Sequence, residues 1–279
     1  MTKSMIIMAA GASSRMKKSA APKDLSRKYS NSAQSKNKVL IEFGSNSKPF
    51  ISFLIKNVIE SGFEKIYVVT SESAYFFREN FNKILKIDFK KYKINFSIQY
   101  IQPGRIKPMG TSDAIYQTME QFPNLKSESF CVCNGDNIYT VESLKKIRSV
   151  KYNYAFVAYD KDGLGFSSEK ISSFSIVNLN NKNHLVDIIE KPKTNSLNKF
   201  IDSLGKIRVN MNLLKFQAND SFYLFKNCPI NKKRNEKEIA DVLKLLIRDK
   251  KKVFGIPVFQ NVYDLTSKND IIKIQKILK

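Results

Sequence analysis

Residues 6–16 read Ile6-Ile7-Met8-Ala9-Ala10-Gly11-Ala12-Ser13-Ser14-Arg15-Met16. An apolar run followed by small residues is typical of a buried strand that turns tightly into a helix. Gly11 can adopt a positive φ, and the backbone N–H groups of such a loop can point at an anion without a side chain in the way. Arg15 adds a planar guanidinium suited to phosphate. The segment therefore predicts a nucleoside triphosphate site, although an ordinary strand–turn–helix with a surface arginine is also compatible with it.

Two common phosphate-binding patterns do not describe this loop. It is neither the Walker pattern G-x-x-x-x-G-K-[ST] nor the dinucleotide pattern G-x-G-x-x-G. The sequence therefore excludes an ordinary P-loop here and disfavours a dinucleotide-binding domain.

The composition describes a globular chain with a sizeable core. The 279 residues are 42% hydrophobic and 26% charged, which is ordinary for a folded protein of one large or two modest domains. No apolar run approaches the ~20 residues that cross a bilayer, and the first strand begins at once, without a leader pattern. The cysteines at 131, 133 and 228, with one histidine at 184, make no zinc site. We therefore expect a cytoplasmic protein with buried free thiols and no membrane association.

The net charge of +23 comes from 48 Lys and Arg against 25 Asp and Glu. Such a charge can indicate binding to nucleic acid or to an anionic membrane. The lysines are spread along the whole chain, however, and do not form one stripe. We therefore expect no specific nucleic-acid binding.

Apolar periodicity predicts alternating strands and helices. The first half contains predicted strands at 4–9, 65–70, 95–101 and 130–134, and predicted helices at 49–61, 74–85, 111–122 and 141–150. The second half is mixed, with predicted strands at 154–159, 172–179, 185–190 and 253–258, and predicted helices at 235–249 and 270–278. The polar stretch 17–37 reads as a long loop or a partly disordered insertion. This order predicts a mostly parallel sheet with helices on both faces, whose ligands bind beyond the carboxyl ends of the strands. Gly11 and Asp136 both follow strands and belong to that edge.

Seven short motifs follow one another along nearly the whole chain. They are Ala9-Ala10-Gly11-Ala12-Ser13-Ser14-Arg15-Met16, Lys38-Val39-Leu40 with Lys48-Pro49-Phe50-Ile51, Gly110-Thr111-Ser112-Asp113-Ala114, Asn134-Gly135-Asp136-Asn137, Glu190-Lys191-Pro192, Val209-Asn210-Met211-Asn212 and Asp264-Leu265-Thr266-Ser267. In this order they resemble the nucleotidyltransferases that make NDP-sugars from a nucleoside triphosphate and a sugar 1-phosphate. The resemblance implies a single domain over 1–279, with a three-layer α/β/α Rossmann-like, mostly parallel mixed sheet (GT-A-like) and a sugar-binding extension. It also implies a nucleotide-binding half at 1–150 and a sugar-phosphate half with C-terminal helices at 151–279.

The resemblance assigns a role to each matching position. The catalytic residues would be Arg15, Lys38 and Asp136; the nucleotide contacts Ala10, Gly11, Ala12, Ser13, Gln102, Gly110 and Thr111; the sugar-phosphate contacts Asn137, Glu190, Lys191 and Asn210. Asp136 and Asp264 would hold Mg²⁺, whose remaining ligands are waters and phosphate oxygens. The partners would be a nucleoside triphosphate and a sugar 1-phosphate, and a homo-oligomer is compatible with the sequence.

The motifs depart from the family at three places. The family's Pro-Lys-x-Leu string is matched literally by Pro22-Lys23-Asp24-Leu25, but the residues after Lys38 match the family better, so Lys38 is the preferred triphosphate lysine. Asn212 stands where the family has glycine, and Ser267 where it has threonine. Two other functions stay open: a cytidylyltransferase for another phosphorylated acceptor, such as choline phosphate or a cofactor precursor, and a catalytically silent regulatory homologue.

Overall fold

One mixed sheet of nine strands organises the computed structural model, which describes residues 1–85, 92–232 and 234–278. Its strands are β1 (Ser4–Met8), β4 (Lys65–Ser71), β5 (Lys93–Gln99), β6 (Phe130–Asn134), β8 (Tyr154–Asp160), β9 (Ser175–Leu179), β10 (Leu185–Glu190), β11 (Arg208–Phe216) and β12 (Val253–Val258). The strand order is β10-β9-β11-β6-β1-β4-β5, and β8 pairs with both β11 and β12. Two short pairs complete the strands: β2 (Glu42–Phe43) with β3 (Lys48–Pro49), and β7 (Asn137–Ile138) with β13 (Tyr263–Asp264).

The strand β1 lies at the centre of the parallel half of the sheet. It pairs in parallel with β4 on one side and with β6 on the other, and β5 extends the parallel set. Its side chains alternate between two apolar cores, with Ile7 in one and Ile6 in the other. A strand buried on both faces is mostly apolar, which explains the unbroken apolar run at residues 5–10. The expected α/β class is confirmed.

Helices cover both faces of the sheet and give it three layers. The helices are α1 (Ser14–Lys18), α2 (Arg27–Ser35), α3 (Phe50–Glu60), α4 (Tyr75–Glu79), α5 (Phe81–Leu85), α6 (Thr111–Gln121), α7 (Val141–Ser149), α8 (Lys161–Leu164), α9 (Ser168–Ile171), α10 (Asp220–Lys226), α11 (Ile239–Arg248) and α12 (Lys268–Ile277). Short 3₁₀ helices occupy Lys38–Leu40, Glu72–Ala74, Pro123–Lys126 and Thr194–Phe200. The apolar sides of α3, α7 and α12 pack in the core that contains Ile7, and those of α6, α10 and α11 in the core that contains Ile6.

The long strand β11 runs antiparallel to its neighbours and is bulged in the middle. Its first residues pair with β9 and its last residues with β6, while its register with β8 shifts between Asn210 and Leu214. Asn212, inside this bulge, has a φ of 56°. A bulge redirects side chains out of the regular alternation. Here it places Asn210 and Asn212 at the carboxyl edge of the parallel strands.

The polar stretch 17–37 is not a loop, so that expectation is wrong. It contains the end of α1 and all of α2. Ala33 is fully buried, and the ring of Tyr29 lies 5.6 Å from that of Phe43. Two well-placed apolar contacts thus hold a helix whose composition alone predicts disorder.

Other predicted elements differ from the structure mainly at their ends. The helix expected at 74–85 is broken into a 3₁₀ turn, α4 and α5, and the helix expected at 235–249 begins only at Ile239. The helix α10 was not predicted, and the strand β11 was suggested only through the motif at 209–212. In the part of the chain that the structure describes, no helix has the length and apolar character that a bilayer crossing needs. The three cysteines are buried and free, as expected.

Candidate active site

The site begins where β1 and β6 end side by side. The N–H of Gly135 donates to the Met8 carbonyl at 2.8 Å, and the N–H of Ala9 donates to the Val69 carbonyl at 2.9 Å. A Cβ on Gly135 would lie 2.9 Å from the Met8 carbonyl oxygen, so only glycine allows this approach. The close contact sets Asp136 beside the loop that follows β1.

That loop is held in a different way from the one expected. Ser13, not Gly11, takes the left-handed conformation, with a φ of 58°. A Cβ on Gly11 would meet nothing within 4 Å, so the absent side chain keeps the cleft open. Asn37, which was not predicted, fastens the loop: its Nδ2 donates to the Gly11 carbonyl at 3.1 Å, and its Oδ1 accepts from Ser13 Oγ at 3.2 Å.

The structure distinguishes the two candidate lysines. The Lys38 N–H donates to Ser13 Oγ at 3.0 Å, and the Lys38 ammonium forms an ion pair with Asp136 Oδ2. The two side chains are 12% and 18% exposed. Lys23 is exposed and lines neither cavity of the site. Of the two candidate lysines, Lys38 is therefore the one that lines the cleft.

Two adjoining cavities of about 400 and 130 Å³ form the cleft. Both are lined by Arg15, Asn134, Asp136, Asn212, Arg234 and Glu238. The larger cavity also brings together the predicted residues Ala10, Gly11, Ala12, Lys38, Gly110 and Thr111. The smaller one brings together the predicted residues Asn137, Glu190, Lys191, Asn210 and Asp264. Ser13 lies buried behind the loop and shapes it from there.

Gln102 was expected to line the cleft, but it does not. Gln99 lines the cleft instead. Gln102 is exposed, with its Nε2 3.5 Å from Asp113 Oδ1. Gln99, at the end of β5, lines the larger cavity and donates to the Gly110 carbonyl at 2.8 Å. Motif spacing alone does not show which of two glutamines three residues apart faces the cleft. That depends on where β5 ends, and β5 ends at Gln99.

Four asparagines form a chain of amide contacts along the smaller cavity, here called the asparagine ladder. Asn137 Nδ2 donates to Asp264 Oδ1 at 2.9 Å, and Asn134 Nδ2 donates to Asn137 Oδ1 at 3.0 Å. The ladder continues from Asn212 Nδ2 to Asn134 Oδ1 at 3.4 Å and from Asn210 Nδ2 to Asn212 Oδ1 at 3.0 Å. Each amide orients the next, so the ladder presents a fixed set of donors and acceptors to whatever enters.

Lys170 was not predicted, and it joins this wall to the C-terminal helix. Its Nζ lies 2.6 Å from Asp264 Oδ2 and 2.9 Å from Asp270 Oδ1. Asp270 also forms the capping box of α12 with Ser267. Burial raises the pKa of the Asp264 carboxyl, Lys170 opposes that shift, and the charge of Asp136 adds to it. The influence of Asp136 indicates that the two carboxyls share one electrostatic environment.

The donor set of this environment fits a small divalent cation. Asp136 and Asp264 both line the smaller cavity, and their carboxylates are hard oxygen ligands. In the described ranges, His, Cys, Asp and Glu form no group of three or more suited to a metal. Mg²⁺ in phosphoryl-transfer sites commonly uses one or two carboxylates and completes its shell with phosphate oxygens and water. Two carboxylates are therefore sufficient.

Three cations converge between the cavities. Burial lowers the pKa of Lys191, and the charges of Arg234 and Arg15 lower it further. Arg234 was missed because it sits in a polar loop before α11; its Nη1 pairs with Glu238 Oε1 at 2.7 Å. Neighbouring positive charges repel one another, and a bound anion relieves that repulsion, so this cluster is suited to phosphate groups.

Comparisons with known proteins place the whole chain among its relatives. A family model described as nucleotidyl transferase matches residues 4–278. The bifunctional protein GlmU of Methanococcus vannielii is 28% identical over 211 residues, which are 75% of this chain and 42% of that protein. The GlmU of Methanococcus maripaludis is 30% identical over 204 residues, 73% of this chain and 41% of that protein. The glucose-1-phosphate adenylyltransferase of Koribacter versatilis is 24% identical over 176 residues, 60% of this chain and 40% of that protein.

The chain thus spans less than half the length of the curated relatives it matches. Among solved structures, a UDP-glucose pyrophosphorylase complexed with UDP-glucose superposes with a TM-score of 0.70 at 18% identity, covering 99% of this chain and 98% of that one. That likeness shows the fold. Since the family model covers nearly every residue from the first strand to the last helix, this chain belongs to the nucleotidyl transferase family.

Proposed function

We propose that the protein transfers a nucleoside monophosphate from a nucleoside triphosphate to a sugar 1-phosphate and releases pyrophosphate. The observation that carries the proposal is the shared wall of the two cavities. Arg15 and Asp136 line both, so two phosphorylated substrates entering from opposite sides would meet at these residues. The sugar-1-phosphate nucleotidyltransferases among the relatives support the same reaction.

In the proposed reaction an oxygen of the sugar phosphate attacks the α-phosphorus, and the bond from that phosphorus to the leaving pyrophosphate breaks. No covalent enzyme intermediate is needed, so the protein acts by positioning and by charge stabilisation. Arg15 would hold the departing pyrophosphate. Lys38 would neutralise the triphosphate. Mg²⁺, held by Asp136 and Asp264, would supply a compact positive charge between the two polyanions when bound.

The acceptor side would be recognised by Lys191 and the asparagine ladder. Lys191 adopts a φ of 47° and donates its backbone N–H to the Phe174 carbonyl at 3.1 Å. These constraints hold the turn from which its side chain reaches the smaller cavity. Carboxamides both donate and accept hydrogen bonds, as sugar hydroxyls require. The amide-rich lining therefore favours a sugar over an acceptor with a quaternary ammonium group, and the retained Arg15, Lys38 and Asp136 argue against a silent homologue.

The proposal is tested by coupled detection of pyrophosphate. Each nucleoside triphosphate is combined with a panel of sugar 1-phosphates in the presence of Mg²⁺, and the NDP-sugar is identified by mass spectrometry. We expect pyrophosphate and NDP-sugar to form in equal amounts and only when both substrates are present. Pyrophosphate release that ignores the acceptor, or turnover with choline phosphate but with no sugar phosphate, would contradict the proposal.

A further inference from the structure

Arg234 differs from Arg15, the other arginine that the two cavities share, because it lies in a loop. Arg15 belongs to the helix α1. Arg234 lies between the end of α10 at Lys226 and the start of α11 at Ile239, and its side chain pairs with Glu238 Oε1 at 2.7 Å. A loop residue keeps a fixed place only where other segments hold its backbone. The position of the Arg234 guanidinium therefore depends on what holds this loop.

Two side chains from the loop that follows β5 hold the backbone at Arg234. Lys107 Nζ donates to the Arg234 carbonyl at 2.8 Å and pairs with Glu236 Oε1 at 2.7 Å. Arg105 donates to the Asn235 carbonyl through Nη2, and to Asn235 Oδ1 through Nη1 at 3.4 Å. The side chains of Arg105 and Lys107 are here called the clasp. Hydrogen bonds from charged donors are about twice as strong as neutral ones, so the clasp can fix two successive peptide groups.

The clasp joins two segments that also touch through their backbones. The Lys237 N–H donates to the Met109 carbonyl, and the Ser112 N–H donates to the Lys237 carbonyl at 2.9 Å. Gly110 has a φ of 105°, and a Cβ there would lie 2.6 Å from the Lys237 carbonyl oxygen. These backbone contacts are centred on Lys237, three positions after Arg234. They bring the segments together and leave the position of Arg234 itself to the clasp.

The charges of the clasp are directed at the protein. Lys107 lines the larger cavity, yet its ammonium contacts a carbonyl and a carboxylate. Arg105 lines neither cavity of the site. Any effect of the clasp on a ligand therefore passes through the backbone that it holds.

We propose that Arg105 and Lys107 are positioning residues that hold Arg234 at the junction of the two cavities, where its guanidinium binds phosphate. Without the clasp, the segment before α11 shifts, and Arg234 no longer meets Arg15 and Lys191 around one anion. This inference rests on the proposed function for the phosphorylated substrates. It deepens that function by naming the groups that place one of the phosphate-binding side chains.

The test is a double-mutant cycle on Lys107 and Arg234. We expect Lys107→Met to lower kcat/KM for the sugar phosphate about three- to tenfold, because a hydrogen bond to the Arg234 carbonyl is lost. Arg234→Gln removes the guanidinium and keeps a donor for Glu238. In that background Lys107→Met should have no further effect, since its consequence passes through Arg234. Losses that add up in the double variant would overturn the inference. Arg105→Met should behave as Lys107→Met does.

The matched control is Lys237→Met, in the same segment as Arg234. It removes the same charge, but its Nζ donates to the Lys226 carbonyl at 2.9 Å. This variant should keep the kcat/KM of the wild type. A loss as large as that of Lys107→Met would show a general effect of charge in this segment and would contradict a specific role of the clasp.

Nucleotide affinity, measured by calorimetry without acceptor, separates positioning from direct contact. Any loss that Lys107→Met causes should disappear in the Arg234→Gln background. A loss of nucleotide affinity that persists there would show that Lys107 itself binds the nucleotide, and it would overturn the inference.

Calorimetry with inorganic phosphate distinguishes failure of this inference from failure of the proposed function. If Lys107→Met and Arg234→Gln both weaken phosphate binding, and the double variant binds no more weakly than Arg234→Gln, the inference is supported. That holds even if no sugar phosphate is turned over, in which case only the proposed function fails. Phosphate binding that is weakened by Arg234→Gln and unchanged in Lys107→Met overturns the inference, while normal NDP-sugar synthesis leaves the function standing.

Discussion

The loop at residues 8–15 is held by strand contacts of its backbone and by the side chains of Asn37 and Ser13, whereas the opposite wall is held by side-chain contacts within the asparagine ladder. The loop needs close strand contacts, such as that of Gly135 with the Met8 carbonyl, and it tolerates most side chains that leave the backbone free. The ladder needs each amide to orient the next. Under the proposed function, phosphate recognition by the loop would therefore tolerate many substitutions, while recognition by the ladder would change with a single one.

The comparison is tested most severely where the two walls meet, at Asp136. Asp136→Asn keeps the shape of the side chain and removes its negative charge, so metal and Lys38 both lose their partner. We expect kcat to fall by at least roughly a thousandfold with an unchanged circular dichroism spectrum. Asp249→Asn, an exposed carboxylate far from the cleft, is the control. Activity within tenfold of the wild type would show that Asp136 holds no essential charge.

On the loop side, we expect a substitution of Lys38, and not one of Lys23, to lower kcat/KM for the nucleotide. Lys38→Ala removes a largely buried cation beside the triphosphate and should lower kcat/KM for the nucleotide about a hundredfold. Lys23→Ala, in an exposed turn, should stay within twofold. Steady-state kinetics on both variants measure this difference. The reverse pattern would show that Lys23, in the literal Pro-Lys-x-Leu match, is the triphosphate lysine.

On the ladder side, Lys191 should serve the acceptor alone. Lys191→Gln removes one charge-assisted contact with phosphate, worth about 1.5–3 kcal/mol, so the KM for sugar phosphate should rise about ten- to a hundredfold. Nucleotide affinity measured by calorimetry should not change. A variant that loses nucleotide affinity while keeping its sugar-phosphate KM would show that the loop and the ladder do not each recognise a separate substrate.

The smallest effect is expected on the free energy of unfolding, from Lys170, which lies behind the asparagine ladder. Burial acts to raise the pKa of Asp270, but Lys170 and the cap of α12 outweigh it, so the pKa is lowered. A lowered folded pKa stabilises the protein above the unfolded value of about 3.9, and this contribution is lost as the pH falls through the folded pKa. Lys170→Met should therefore cost about 1.5 kcal/mol of unfolding free energy at pH 7, and less below about pH 4. Urea titrations at both pH values measure this loss. A loss of unfolding free energy that is the same at both pH values would show that it does not arise from the charge of Asp270.

The same contrast explains what could be predicted from the sequence. Most of the strands and helices, and the position of Asp136 just after a strand, depend on short-range patterns and were predicted. Gln99, Asn37 and Arg234 depend on where distant segments meet, and a spacing rule contains no such information. The helix α2 was missed because its stability comes from the burial of Ala33 and Tyr29 against other segments, which a polar composition conceals.

The pairing of β13 with β7 has a consequence for biosynthesis. Asp264 pairs with Asn137, and the Leu265 N–H donates to the Asp136 carbonyl at 2.9 Å. The loop with Asp136 is thus pinned by residues translated about 130 positions after it. During vectorial synthesis the parallel strands can assemble early, but this loop stays unpinned until residue 265 has left the ribosomal tunnel. A nascent chain that lacks this segment therefore lacks the contact, and the loop with Asp136 takes its folded form only after residues 263–265 have emerged.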